Sequence, residues 1–146
     1  MKSLYVQLKG CNASCSFCEY MMPGESFDFV KFEETLIEVA PEKISITGGE
    51  PTMNIPNLYR LIALINKHAP TAFLVMNTNG YNLNELDEDD VIKEFDSISI
   101  SRHHHLDARN NEILGFQTLS KNDLRNLITN NKKGVFHFSC NLIKGY

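Results

Sequence analysis

A chain of 146 residues with 42% apolar and 22% charged side chains holds enough apolar surface for one core, which excludes a disordered tail. Its formal net charge is −4 with Lys and Arg scattered, so it carries no basic footprint for DNA or RNA. No apolar run approaches the ~20 residues that span a bilayer, and Met1-Lys2-Ser3-Leu4 leads into a strand-like segment with no signal-peptide core, so a cytoplasmic protein without a membrane partner is expected.

In chain order, short strand-like runs alternate with helix-like ones, with no repeat, low-complexity tract or linker between them. Residues 3–9 read as a first strand, followed by a Cys-rich loop that runs to Phe29. Phe32, Leu36 and Val39 fall at helical spacing over 31–40. Residues 43–47 form a second strand ending at Gly48-Gly49. Pro56 suits the first turn of a second helix, whose apolar stripe is Leu58, Leu61, Ile62 and Ile65. Residues 72–76 are a third strand, closed by the turn signal Asn77-Thr78-Asn79-Gly80. An acidic helix is predicted around 87–94, then a fourth strand over 96–101. Ser120 and Asp123 match a capping box for a helix over 121–130, and 134–140 is a fifth strand. The stretch 102–119 reads as a long loop of the kind that carries function.

This order predicts an α/β fold with parallel strands and helical crossovers. The strands alternate in polarity. Leu4, Val6 and Leu8 oppose Tyr5, Gln7 and Lys9; Ile44 and Ile46 oppose Ser45 and Thr47. Ile98 and Ile100 oppose Ser97, Ser99 and Ser101; Phe136, Phe138 and Cys140 oppose His137, Ser139 and Asn141. One face is expected to pack on helices while the other is polar. Alternation fits two architectures: a sandwich with one sheet face exposed, or a sheet curled into an open barrel around a polar ligand.

Of four Cys, three fall within eight residues: Cys11-Asn12-Ala13-Ser14-Cys15-Ser16-Phe17-Cys18. A disulfide framework spreads its Cys over a small secreted fold, whereas this cluster suggests a metal site in a reducing compartment. Three thiolates suit a 4Fe–4S cluster with one iron left open, and their loop leaves the first strand at the carboxyl end of the sheet, where such folds bind ligands. Zinc is the alternative, with His103, His104, His105 or Cys140 as fourth ligand, although no second Cys pair of zinc spacing exists.

The C-x3-C-x2-C spacing, with aromatic Phe17 before the last Cys and Gly48-Gly49-Glu50-Pro51 after the second strand, resembles the signature of the radical S-adenosylmethionine (radical SAM) superfamily. The resemblance runs over essentially the whole chain. It implies a partial (βα) barrel of about five parallel strands with outer helices. It implies Cys11, Cys15 and Cys18 as ligands of a 4Fe–4S cluster, and S-adenosyl-L-methionine chelated at the open iron. Gly48 and Gly49 would let backbone approach that ligand, and Glu50 would accept from its ammonium. Ser99 and Ser101 would face the lumen toward the ribose or carboxylate, with Arg102 a cation for the carboxylate. Asn79 would line the site, and Gly80 would serve backbone geometry. The implied reaction is reductive cleavage to a 5′-deoxyadenosyl radical that abstracts hydrogen from an unknown small-molecule or peptide substrate. The electron would come from a donor such as flavodoxin or ferredoxin.

The family barrel continues beyond a fifth strand, so residues 1–146 are expected to form a radical SAM core incomplete at its C-terminus. The competing function is a non-catalytic iron–sulfur electron-transfer or binding module. Glu50 and its two glycines discriminate, because an electron carrier does not need them. His103-His104-His105 reads as a solvated loop or as a proton-transfer element. Asn110, Asn111 and Glu112 continue it toward substrate, and Cys140 reads as a small buried hydrophobe.

Overall fold

The computed structural model describes residues 1–8 and 27–139. Five parallel strands lie side by side in chain order: β1 (Ser3–Gln7), β2 (Lys43–Thr47), β3 (Phe73–Thr78), β4 (Ser97–Ser101) and β5 (Phe136–Ser139). Between them run α1 (Phe29–Val39), α2 (Ile55–His68), α3 (Leu83–Glu88), α4 (Asp107–Leu114) and α5 (Lys121–Asn130), with single 3-10 turns at Pro51–Met53 and Ile92–Glu94.

Local chemistry fixes the helix ends. Asp28 caps α1 by accepting from the Lys31 N–H at 3.0 Å, and Asn54 caps α2 by accepting from Asn57 at 3.1 Å. Ser120 and Asp123 form the predicted reciprocal box at the start of α5. The stripe Leu58, Leu61, Ile62 and Ile65 is buried along α2.

Two elements differ from expectation. The acidic helix predicted around 87–94 is split into α3 and the turn at Ile92–Glu94. Its anchors Leu83, Leu86 and Ile92 are all buried but do not share one helical face, and Asp90 breaks the run at φ 58°. The stretch 102–119 contains α4, which buries Ile113 and Leu114 and ends at Gly115 with φ 82°.

The sheet is one-sided. Val6, Ile44, Ile46, Leu74, Met76, Ile98 and Ile100 are buried on the face that meets the helices. The opposite face carries rows set by the register. Tyr5, Ser45, Val75 and Ser97 lie side by side, and one level higher Gln7 pairs with Thr47 while Asn77, Ser99 and His137 align. These upper residues stand at the carboxyl ends of the strands.

Candidate functional site

Thr47 ends β2 with its carbonyl accepting from the Leu8 N–H at 3.0 Å. Gly48 follows at φ 76°, and a Cβ built there would stand 2.8 Å from the Leu8 carbonyl oxygen. Only glycine fits this turn and this approach. The close neighbour is the backbone leaving β1, three residues ahead of Cys11. Gly48 therefore joins the exit of β1 to the exit of β2.

Glu50 is 4% exposed. Its Oε1 accepts from the Thr52 N–H (3.1 Å), the Thr52 hydroxyl (2.8 Å) and the Thr78 hydroxyl (2.5 Å). Its Oε2 accepts from the Asn79 N–H at 2.6 Å. Burial pushes the Glu50 carboxyl above the ordinary glutamate value, and these hydrogen bonds oppose that rise. The turn after β3 is knitted further: the Gly80 N–H donates to the Thr78 hydroxyl at 3.0 Å, and Tyr81 N–H donates to Asn79 Oδ1 at 3.0 Å. Asn82 Nδ2 reaches the Thr52 carbonyl at 3.3 Å, a second tie between the two turns.

Ser99 and Ser101 are half-buried on the open face, with Ser99 beside Asn77 and His137. Arg102, which follows them, is taken up by acceptors of this chain. Its guanidinium donates to the Leu119 carbonyl (3.1 Å), the His105 carbonyl (3.5 Å) and the Asp107 carboxylate. Arg102 in turn holds the Asp107 carboxyl below the usual range. Asn110, 1% exposed, accepts from the His103 N–H at 2.8 Å and donates to the Thr118 hydroxyl at 3.0 Å. Asn111 accepts from both the N–H and the hydroxyl of Thr118. Both asparagines thus organise their own loop. Glu112 is exposed and pairs with Arg109. The three histidines part company: His103 is buried, while His104 and His105 stack at 4.6 Å and His105 is exposed.

Cys11, Cys15, Cys18, Phe17 and Cys140 lie outside the described residues. Among the described residues no three His, Cys, Asp or Glu side chains converge to hold a metal. Thr52 and Thr78 are the site residues that sequence reasoning missed. The available signal was Thr78 at a helix-facing position of β3, where a buried hydroxyl needs a partner.

The residues fit the two groups implied by the sequence. Three thiolates suit a 4Fe–4S cluster by ligand type. The cradle at Gly48, which a Cβ would fill, sets the stretch leading to them against the Gly48–Glu50 turn. The neighbouring rim of Asn79, Ser99 and Ser101 offers uncharged hydrogen-bonding groups to a zwitterionic nucleoside.

The family model of the radical SAM superfamily matches residues 5–134. The chain is 31% identical over 128 residues to a GTP 3′,8-cyclase of Staphylococcus haemolyticus, covering 76% of this chain and 36% of that protein. It is 33% identical over 90 residues to a GTP 3′,8-cyclase of Helicobacter pylori, covering 53% of this chain and 27% of that one. The chain thus spans 27% to 36% of the length of these curated relatives. Among solved structures it resembles BtrN in complex with AdoMet and 2-DOIA, with a TM-score of 0.68 and 17% identity over 96% of this chain and 56% of that one. It also resembles native anSMEcpe with bound AdoMet, with a TM-score of 0.61 and 22% identity over 94% and 42%. These likenesses show the fold: an α/β partial barrel of parallel strands with outer helices.

Proposed function

Because the chain belongs to the radical SAM superfamily, we propose that it binds S-adenosylmethionine beside a 4Fe–4S cluster and directs hydrogen-atom abstraction from a small-molecule or peptide substrate. One observation carries this reading. The Gly48–Glu50 turn is bonded to the Thr78–Gly80 turn at the carboxyl end of the sheet, beside the stretch leading to Cys11, Cys15 and Cys18. Held by Cys11, Cys15 and Cys18, the cluster would supply the one electron that reductive cleavage of S-adenosylmethionine requires, and the cleaved ligand would supply the hydrogen-abstracting group.

The chain's own residues bind, orient and shield. Cys11, Cys15 and Cys18 would hold the cluster. The turn of Gly48, Gly49 and Glu50 would receive the methionyl end of the ligand, with Asn79 beside it. Ser99 and Ser101 would hydrogen-bond the ribose or carboxylate, and Arg102 would keep the adjoining loop in place. Gln7, Asn77, Ser99 and His137 face the same space, so substrate recognition there would rest on hydrogen bonds rather than ion pairs. The helix-packed face closes the site to water from behind. Residues 1–146 would form the core of this activity. A cytoplasmic setting, with flavodoxin or ferredoxin as electron donor, fits the thiol chemistry. No helix among the described residues is long and apolar enough to cross a membrane.

The test is anaerobic reconstitution with iron and sulfide, followed by reduction in the presence of S-adenosylmethionine. The expected product is 5′-deoxyadenosine. Cluster-loaded protein that forms none under these conditions would favour the electron-transfer module.

A further inference from the structure

We infer that His137 on β5 is a specificity-determining residue: with Asn77 and Ser99 it forms a notch on the open face of the sheet that takes an oxyanion of the substrate, a phosphate or carboxylate group. The inference deepens the proposed function and rests on it for the claim that the bound group belongs to a substrate.

The register sets the geometry. Asn77, Ser99 and His137 are partners across β3, β4 and β5, so they stand at one level of the sheet. Phe136 packs against the core, so His137 beside it points to the face that the helices do not cover. Neighbouring strands lie ~4.8 Å apart, which puts the stems of Asn77 and His137 about 10 Å from each other, with the short Ser99 between them. Asn77 and His137 are exposed and Ser99 is half-buried, so the outer two are walls and the serine is a floor. Asn79 and Ser101 come two residues later, which sets the notch roughly 7 Å below the proposed cofactor rim.

Chemistry names the ligand. A carboxamide, a hydroxyl and an imidazole each bring an N–H or O–H donor to the notch. On the same face, Gln7 and Thr47 lie at this level and Ser45, Val75 and Ser97 at the level beneath, and none of them is a carboxylate. Lys43 stands at the amino end of β2, roughly 13 Å along the strand from Thr47. An anion would therefore meet donors without a like charge, while a cation would find no counter-charge. The other histidines are used within the chain. His68 faces the Glu33 carboxylate at 3.6 Å, His103 is buried, and His104 accepts from the Leu106 N–H and stacks on His105. Among the described residues no hydrogen bond, ion pair or ring contact takes up His137.

The experiment follows the histidine ring signals by NMR in the full chain, without cluster or S-adenosylmethionine. Sodium phosphate replaces sodium chloride at constant pH and ionic strength. His137→Gln identifies the His137 signal, which should shift saturably with phosphate while that of exposed His105 does not. Asn77→Asp, which sets a carboxylate opposite the imidazole, should weaken the response about tenfold or more. If Asn77→Asp does not fold, Asn77→Ala carries the comparison, with a weakening of about tenfold from the lost donor. Sodium acetate in a parallel titration separates the two sources: the stronger response names the group, and either supports the inference. Equal shifts at His137 and His105 would overturn it, as would an unchanged response in the Asn77 variant, or a saturable response to glycerol with none to phosphate or acetate. Reconstituted protein reports separately on the underlying reading. A phosphate response without formation of 5′-deoxyadenosine would overturn the substrate assignment, whereas 5′-deoxyadenosine without any response at His137 would overturn the notch and leave the cofactor reading intact.

Discussion

Replacing Gly48 with Ala tests how the turn after β2 is joined to the end of β1. Two separate penalties meet at this position. The backbone sits at φ 76°, and placing an L side chain in such a left-handed conformation costs roughly 1–2 kcal/mol. The new Cβ would also fall 2.8 Å from the Leu8 carbonyl oxygen and 3.0 Å from Gln7 Cα. Both neighbours are backbone, so no rotamer change relieves the overlap and β1 must shift. A total near 3 kcal/mol follows, or a fall of roughly 6–12 °C in Tm for a chain of this size. Gly134 is the control: its φ is 84°, but a Cβ there meets nothing within 4 Å. Gly134→Ala should show only the conformational part, roughly 1–2 kcal/mol. Thermal melts of both variants isolate the overlap by difference. Iron retained after reconstitution should fall in Gly48→Ala, because β1 leads to Cys11, and stay at the wild-type level in Gly134→Ala. Equal melting temperatures, or full iron retention in both, would refute the reasoning.

Cys15→Ala should lose the cluster, with analysed iron dropping from about four per chain toward none. Asn110→Ala should destabilise the chain by about 2 kcal/mol in urea unfolding, since it strands the buried His103 N–H and frees Thr118. The pH dependence of Glu50 follows from its raised carboxyl: protonation favours the folded chain, so its contribution is full below the ordinary value of 4.5 and is lost as pH rises through the folded value. Urea midpoints of wild type and Glu50→Gln should therefore draw apart with rising pH above 4.5, with the wild type losing ground. Asp107 works in the opposite sense, because Arg102 holds it low: its contribution is present above the ordinary 3.8 and is lost as pH falls below it, a dependence that Arg102→Gln should abolish.

The strands were legible because their period-two polarity is strong: Ile44, Ile46, Ile98 and Ile100 reach the helices, and the serines between them face away. Helix α5 was legible from its capping box. Helix α4 was not, because Asp107–Leu114 is mostly polar and its two buried apolar residues come only at the end. The rim position of Glu50 could be read from Gly48-Gly49-Glu50. Its inward orientation could not, because two of its four donors belong to Thr78 and Asn79, which only the pairing of β2 with β3 brings to it. Arg102 likewise shows a charge in the sequence, and its acceptors at Leu119, His105 and Asp107 emerge once the loop folds back.

The strictly sequential strand order bears on how the chain assembles. Every strand pairs with the one just before it, so each new pairing closes a loop of modest length onto an existing edge. Met76 beside Ile98 is the shortest such separation, against Leu4 with Ile44, Ile44 with Leu74, and Ile98 with Phe136. The β3–β4 pair is thus the expected nucleus. Substitutions at Met76 or Ile98 should slow refolding, whereas those at Val6 or Val135 should mainly speed unfolding. The turn that carries Asn79 and Gly80 lies inside that early unit, so part of the proposed cofactor rim would already be shaped before β1 docks.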